Sequence, residues 1–234
     1  MTVETPEPPR VITGWRALGA TVFVLACIGL GRMAGMTVAA SLSSREGAPE
    51  TDGVILSAGI LAASLTGGAG LWLVVRSRDP RSYLALVRPS GRAVLAAVSA
   101  SVTLVVLFDA LRWASAGAIV PPAWIDIART APLALLVLAF ALAAPCFEEA
   151  FFRGYLQTTL TSTRVGPWGA IAVPSILFTL AHGPEDALAF ADVLASAVLL
   201  GVLRQRTGSI IPGVIAHALG NLQAIVFASI LATG

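Results

Sequence analysis

The sequence predicts an all-α membrane protein, a polytopic bundle of about seven transmembrane helices. Three observations predict it. Of 234 residues, 56% are hydrophobic and only 12% charged, against roughly 45–50% and about 25% in soluble domains; mean hydropathy is +0.84. Apolar stretches recur at lengths that match the roughly 17–25 residues of a membrane-spanning helix. The breaks between them are polar and rich in Pro or Gly, and the arginines concentrate on one side of the resulting zigzag. A soluble core is excluded by this balance, and a formal charge of +2 gives no argument for nucleic acid.

Taken in order, residues 1–13, MTVETPEPPRVIT, read as a short disordered cytoplasmic tail. The first span lies near 15–42. Its leading arginines, apolar stretch and VAAS at 38–41 resemble a cleavable signal, but more apolar segments follow, so it reads as an uncleaved span. Within it, GLGRMAG at 29–35 follows no strand and reads as small residues for close helix packing, not as a dinucleotide loop. Further spans are expected near 53–75, 93–114, 131–156, 167–182, 187–203 and 210–231. The breaks are SSREGAPETDG, RSRDPRSYLALVRPSGR, VPPAWIDIAR, TSTRVGP, HGPED and RQRTGS. The first and fourth spans are long enough for a kink or a partial extra helix, which would bring the count to eight. No repeat or separate soluble domain is visible.

Every basic side chain is arginine. With the N-terminus inside, Arg10, Arg16, Arg76, Arg78, Arg81, Arg88, Arg92, Arg164, Arg204 and Arg206 are cytoplasmic, and Arg45, Arg112 and Arg129 lie opposite. This positive-inside bias predicts a multi-pass protein of the cell membrane whose 157–166 and 204–209 turns face the cytoplasm and whose HGPED turn faces out. Cys27 and Cys146 sit in apolar runs without metal-ligand spacing and read as small core residues.

A charge at the centre of a membrane helix costs roughly 2.5–3.5 kcal/mol, so the polar residues inside the spans mark candidate sites. The fourth span carries Glu148, Glu149 and Arg153. Glu149 and Arg153, four apart, share a helix face and pair; Glu148 points roughly 100° away. Pro145 removes a backbone donor and predicts a kink just before the acids. Phe178 and His182 are four apart in FTLAH, and His217 and Asn221 four apart in HALGN. These are the two histidines of the chain, and both fall within apolar spans. Counted from the cytoplasmic turns, Glu148 and His217 lie roughly 12–14 Å deep and His182 about 24 Å, a mismatch of one to two turns. Elsewhere, Asp109 and Arg112 are expected to pair, Arg32 to snorkel to the interface, and Asp192 to be interfacial or to line the site.

Glu148, His182, His217 and Asn221 suit hydrolysis of a peptide bond. A carboxylate takes a proton from water, an imidazole shares or orients that water, and His217 with Asn221 donates to the oxyanion. A metal version uses the same side chains, since Glu148, His182 and His217 resemble a catalytic zinc shell with Glu149 as base or support. Without HExxH, the sequence leaves both versions open. No Ser or Cys occupies a recognisable nucleophile elbow. Two other classes remain: a proton- or solute-coupled transporter, since Glu and His relay protons, and a non-catalytic membrane scaffold.

In order and on separate helices, EEAFFR, FTLAH and HALGN match EExxxR, FxxxH and HxxxN/D. These are motifs of the CAAX protease and bacteriocin-processing (Abi) family, the type II CAAX prenyl endopeptidases, which this chain resembles over roughly 131–231. The GSIIPGVIAHALGN stretch is similar to that family's last catalytic helix. The apolar spans within 14–130 are N-terminal transmembrane helices that carry none of the resemblance, which implies a catalytic core over 131–231. It also implies an intramembrane protease with Glu148, His182, His217 and Asn221 as the catalytic set, and Glu149 and Arg153 in support. Family members are described both as metalloproteases and as metal-free glutamate enzymes. The implied partners are membrane lipids and a peptide or membrane-anchored protein substrate, of CAAX type or processed as a peptide. The site is expected to open toward the cytoplasm.

Overall fold

A computed structural model describes residues 11–42, 52–183 and 186–234. Most of the expected tail, together with Arg10, Arg45, Pro184 and Glu185, lies outside the described residues. Among those described, every expected span is a helix: α1 Gly14–Leu42, α2 Gly53–Val75, α4 Gly91–Ala116, α6 Leu133–Thr161, α7 Gly166–His182, α8 Ala187–Thr207 and α9 Ile211–Ala232. Six of these are long and apolar enough to cross a bilayer. The 17-residue α7 stands at the lower limit of roughly 17 residues. The protein is an integral, multi-pass membrane bundle. Two of the expected breaks contain helix of their own, the single turn α3 Pro80–Tyr83 and α5 Pro122–Thr130, each started by a proline at its first position.

Local chemistry sets the boundaries. Asp52, Ser90 and Asp186 accept hydrogen bonds from the first free N–H groups of α2, α4 and α8. Gly117, Gly183 and Gly208 end α4, α7 and α8 with left-handed backbone. Residues 11–13, assigned to the tail by sequence, are docked: the Ile12 N–H donates to the Tyr83 hydroxyl at 3.2 Å, and Ile12 joins Val24, Leu71, Tyr83, Phe151 and Tyr155 in a buried cluster.

The bundle is apolar outside and polar within. Leu30, Leu65, Leu95, Val106, Leu180 and Ile230 are exposed, whereas Glu149, Arg153, Gln157 and Thr179 are buried. A soluble protein could not carry that surface, but lipid removes its cost. α1 packs along α2, α2 against α6, and α9 between α4, α5 and α6; α8 lies on α7 and α4. The GLGRMAG segment packs as expected: a Cβ on Gly31 would overlap Thr66, and one on Gly35 would sit 2.5 Å from the Ala58 carbonyl.

α6 is not a regular helix with one kink. Val137–Ala143 and Glu149–Leu156 are π-helical, with a short α-helical segment, Ala144–Glu148, between them. Pro145 sits inside that segment, so the missing N–H is absorbed by a change of hydrogen-bond register instead of a sharp bend. Cys146 is exposed on the bundle and Cys27 half-buried, so neither fills the core as the sequence suggests; both thiols are free.

Candidate active site

The candidate site is built where α6 meets α9. Glu149 and Arg153 are wholly buried and pair as expected, Oε1 to Nη1 at 3.1 Å. The second Arg153 nitrogen, Nη2, donates to the Ala197 carbonyl of α8 at 3.0 Å, and the guanidinium lies 4.6 Å from the centre of the Phe178 ring. The ion pair is thus compensated on three sides, which a buried charge requires.

The two acids do not separate as the α-helical angle predicts. Glu149 Oε1 also accepts from His217 Nδ1–H at 3.2 Å, while Glu148 Oε2 lies 3.7 Å from His217 Nε2. A π-helical turn begins at Glu149, and each residue in such a turn advances less around the axis. Both carboxylates therefore reach the same imidazole, one at each nitrogen. The bond to Glu149 fixes the tautomer and orientation of the ring. Of the Glu148 side chain, 22% is open, against none of Glu149, so Glu148 is the acid that can meet water. Gly213, about one turn before His217, lets α9 come this close: a Cβ there would stand 3.1 Å from Glu149 Oε2.

His182 is at the mouth. Its Nδ1–H donates to the Phe178 carbonyl at 2.8 Å, leaving Nε2 as the acceptor. The Phe178 ring is 4.2 Å from the His182 ring and 5.7 Å from the His217 ring, centre to centre. Phe178 thereby touches both histidines, and no hydrogen bond or ion pair joins His182 to either acid among the described residues. Asn221 Nδ2 donates to the Phe140 carbonyl of α6 at 2.8 Å, which leaves one amide hydrogen for other work.

His182, His217 and Asn221 share the wall of a cavity of about 510 Å³. Glu148 is outside that wall and meets it through His217. Asp109, Arg112 and Asp192 line it too. Asp109 and Arg112 do not pair with each other. Asp109 accepts from Gln223 Nε2 at 2.9 Å, and Arg112 reaches Asp192 at 3.9 Å, because neighbouring helices offer partners that a three-residue spacing along α4 does not reveal. The mouth includes Ala116, Ala118, Gly183 and Asp186, at the end of the bundle opposite the arginine-rich turns. Relative to those turns, this is the other end of the bundle from the one the sequence suggests. Glu148 is near the middle of α6, and depth alone cannot tell one end from the other.

The zinc expectation finds no matching donor set. Among the described residues, no group of three His, Cys, Asp or Glu side chains could hold a metal ion. Glu148 and His217 are neighbours, but no hydrogen bond or ion pair brings His182 to either among the described residues, and its Nδ1 is committed to the Phe178 carbonyl. Sequence reasoning missed Ala197, Gly213 and Phe140, since a backbone carbonyl or a missing Cβ leaves no chemical mark. It also missed Gln157, buried with its Nε2 donating to the Gly201 carbonyl at 3.0 Å; a polar side chain four residues beyond Arg153 was the available signal.

Fold and site together describe a polytopic membrane protein with a buried acid–histidine centre. Residues 130–223 match the family described as Type II CAAX prenyl endopeptidase Rce1-like, which bears out the family resemblance over the segment that carries the motifs. That match supports an intramembrane endopeptidase of CAAX type as the general class. No curated protein and no solved structure matches the chain.

Proposed function

We propose that the protein is an intramembrane endopeptidase that hydrolyses a peptide bond with a water activated at Glu148 and held by His182, the oxyanion being stabilised from α9. The observation that carries this reading is the chain Glu148–His217–Glu149–Arg153, in which a partly open acid and a fully buried one grip one imidazole at the wall of a cavity.

Glu148 accepts a proton as the water oxygen attacks the substrate carbonyl carbon. The His182 Nε2, freed by the bond at Nδ1, accepts from that water and orients it. The oxyanion forms within reach of His217 Nε2, which donates to it when the ring carries both protons, with Nδ1 held on Glu149. Asn221, one turn on along the same wall, is held on the Phe140 carbonyl and takes no part in the step. Collapse of the intermediate breaks the C–N bond, and Glu148 returns its proton to the leaving amine. Arg153 pairs with Glu149 in an apolar interior, so that the acid holding His217 is not left without a partner. No step is routed through a metal, because the donor set does not fit one.

The substrate is a peptide or membrane-anchored protein whose chain reaches the cavity. With the arginine bias setting the orientation, the N-terminus is cytoplasmic, the membrane is the cell membrane, and the cavity opens on the opposite side. The test is cleavage of a peptide library by the purified protein in lipid nanodiscs, read by mass spectrometry. Glu148→Gln, His182→Ala and His217→Ala are expected to insert normally and cleave nothing. Normal cleavage by Glu148→Gln overturns the assignment.

A further inference from the structure

The bond from Asn221 to Phe140 has a cause in the sequence five residues past Phe140. Through 137–143 the backbone of α6 bonds in the i→i−5 register, and the Ala144 N–H closes it on the Ala139 carbonyl. The next carbonyl in line is that of Phe140, and its partner in this register is residue 145. Proline has no N–H to give. A carbonyl left unpaired between membrane helices is costly. Asn221, reaching across from α9, supplies the missing hydrogen at 2.8 Å. Only the amide nitrogen can face a carbonyl, so the bond also fixes which way the carboxamide points.

We infer that Asn221 is a positioning residue: it stands in for the N–H that Pro145 lacks and so sets the distance from the acids of α6 to His217. The inference rests on the proposed reading of the acid–histidine centre. Two contacts then lock α6 to α9. His217 grips Glu148 and Glu149, and one turn further along Asn221 grips Phe140, two turns before those acids. A lock at two points fixes both the spacing and the rotation of the helices, which a single contact cannot do. Pro145 becomes a working part, since it frees a carbonyl as a docking point for the helix that carries His217.

The test is a double-mutant cycle on the full chain in nanodiscs, with thermal unfolding midpoint and turnover of a library-derived peptide measured for wild type, Asn221→Ala, Pro145→Ala and the double variant. The Pro145→Ala change restores the backbone N–H that proline withholds. Asn221→Ala is expected to lower the midpoint and cut turnover about 10–100-fold, as a displaced reacting group does. Pro145→Ala alone stays near wild type, and the double variant recovers most of both losses. A double variant no better than Asn221→Ala overturns the inference. So does a double variant with a restored midpoint and lost turnover, which would make Asn221 a direct contact to substrate. Should Asn221→Ala fail to insert, Asn221→Asp serves: it keeps the shape, cannot donate when ionised, and is compared with and without Pro145→Ala. If wild type cleaves nothing, the protease reading fails while the midpoints still decide the Asn221–Pro145 link.

Discussion

The α1–α2 hairpin and the α6–α9 pair are both tight helix contacts inside one membrane, and they are made by opposite means. In the hairpin, Gly31 and Gly35 let backbones touch, and the Thr66 hydroxyl donates to the Cys27 carbonyl across the gap at 2.8 Å. The one charged side chain near it among the described residues, Arg32, packs its aliphatic stem on Gly59. Between α6 and α9 the contact is made by Glu148, Glu149, His217, Asn221 and a freed carbonyl. Van der Waals packing between small residues is sufficient for association in lipid. The second contact therefore carries charges that packing alone does not call for, and that excess marks it as the functional half.

The largest expected difference between the two regions lies in turnover. Glu148→Gln should reduce peptide cleavage by about 10²–10⁴-fold, the usual contribution of a general base, with membrane insertion unchanged. The corresponding insult to the hairpin, Gly35→Leu, should leave turnover of the inserted protein unaltered. If turnover falls equally in both, the halves are not functionally distinct.

Stability should divide them next. Arg153→Met leaves Glu149 buried without its cation and should cost about 3–5 kcal/mol in denaturation from detergent micelles. Adding Glu149→Gln should recover much of that loss, since the penalty is the unpaired charge. Recovery of stability without recovery of turnover is the expected pattern, because Glu149 also holds His217.

Smaller effects follow. Gly31→Val and Gly35→Leu should each cost about 1–3 kcal/mol by overpacking the hairpin, read as a shifted unfolding transition. Phe178→Leu keeps much of the bulk but loses the ring over Arg153, worth about 1–2 kcal/mol where desolvated, and it should lower turnover by releasing both imidazoles. The smallest expected effect is that of a chelator. With no three-ligand group among the described residues, turnover is expected to persist after chelation; activity lost to a chelator and restored by zinc would require His182 to move toward Glu148 and His217.

The hydropathy pattern was enough to draw the bundle. Spans expected at 53–75 and 167–182 form as Gly53–Val75 and Gly166–His182, because the length of an apolar run is a local property matched to bilayer thickness. The motif residues were legible for the same kind of reason: a charge or imidazole in such a run stands out against its cost. Helix angle assigned Glu149 to Arg153 and turned Glu148 toward His217, but missed that Glu149 reaches His217 too, since the register of α6 changes to π at Glu149 and a uniform helix wheel does not apply. The pairing of Asp109 with Gln223 instead of Arg112 was equally out of reach, being a choice among partners on other helices.

By itself, then, the sequence determined the all-helical membrane architecture, the arginine asymmetry and the identity of the polar residues inside the spans. All are written in the solvent preference of single segments. The tertiary structure alone decided that both acids meet His217, that Asn221 caps the carbonyl exposed by Pro145, that His182 stands at the mouth, and at which end the cavity opens. Those depend on how helices distant in sequence rotate and shift against each other, and a buried hydrogen bond is made only once that rotation is fixed.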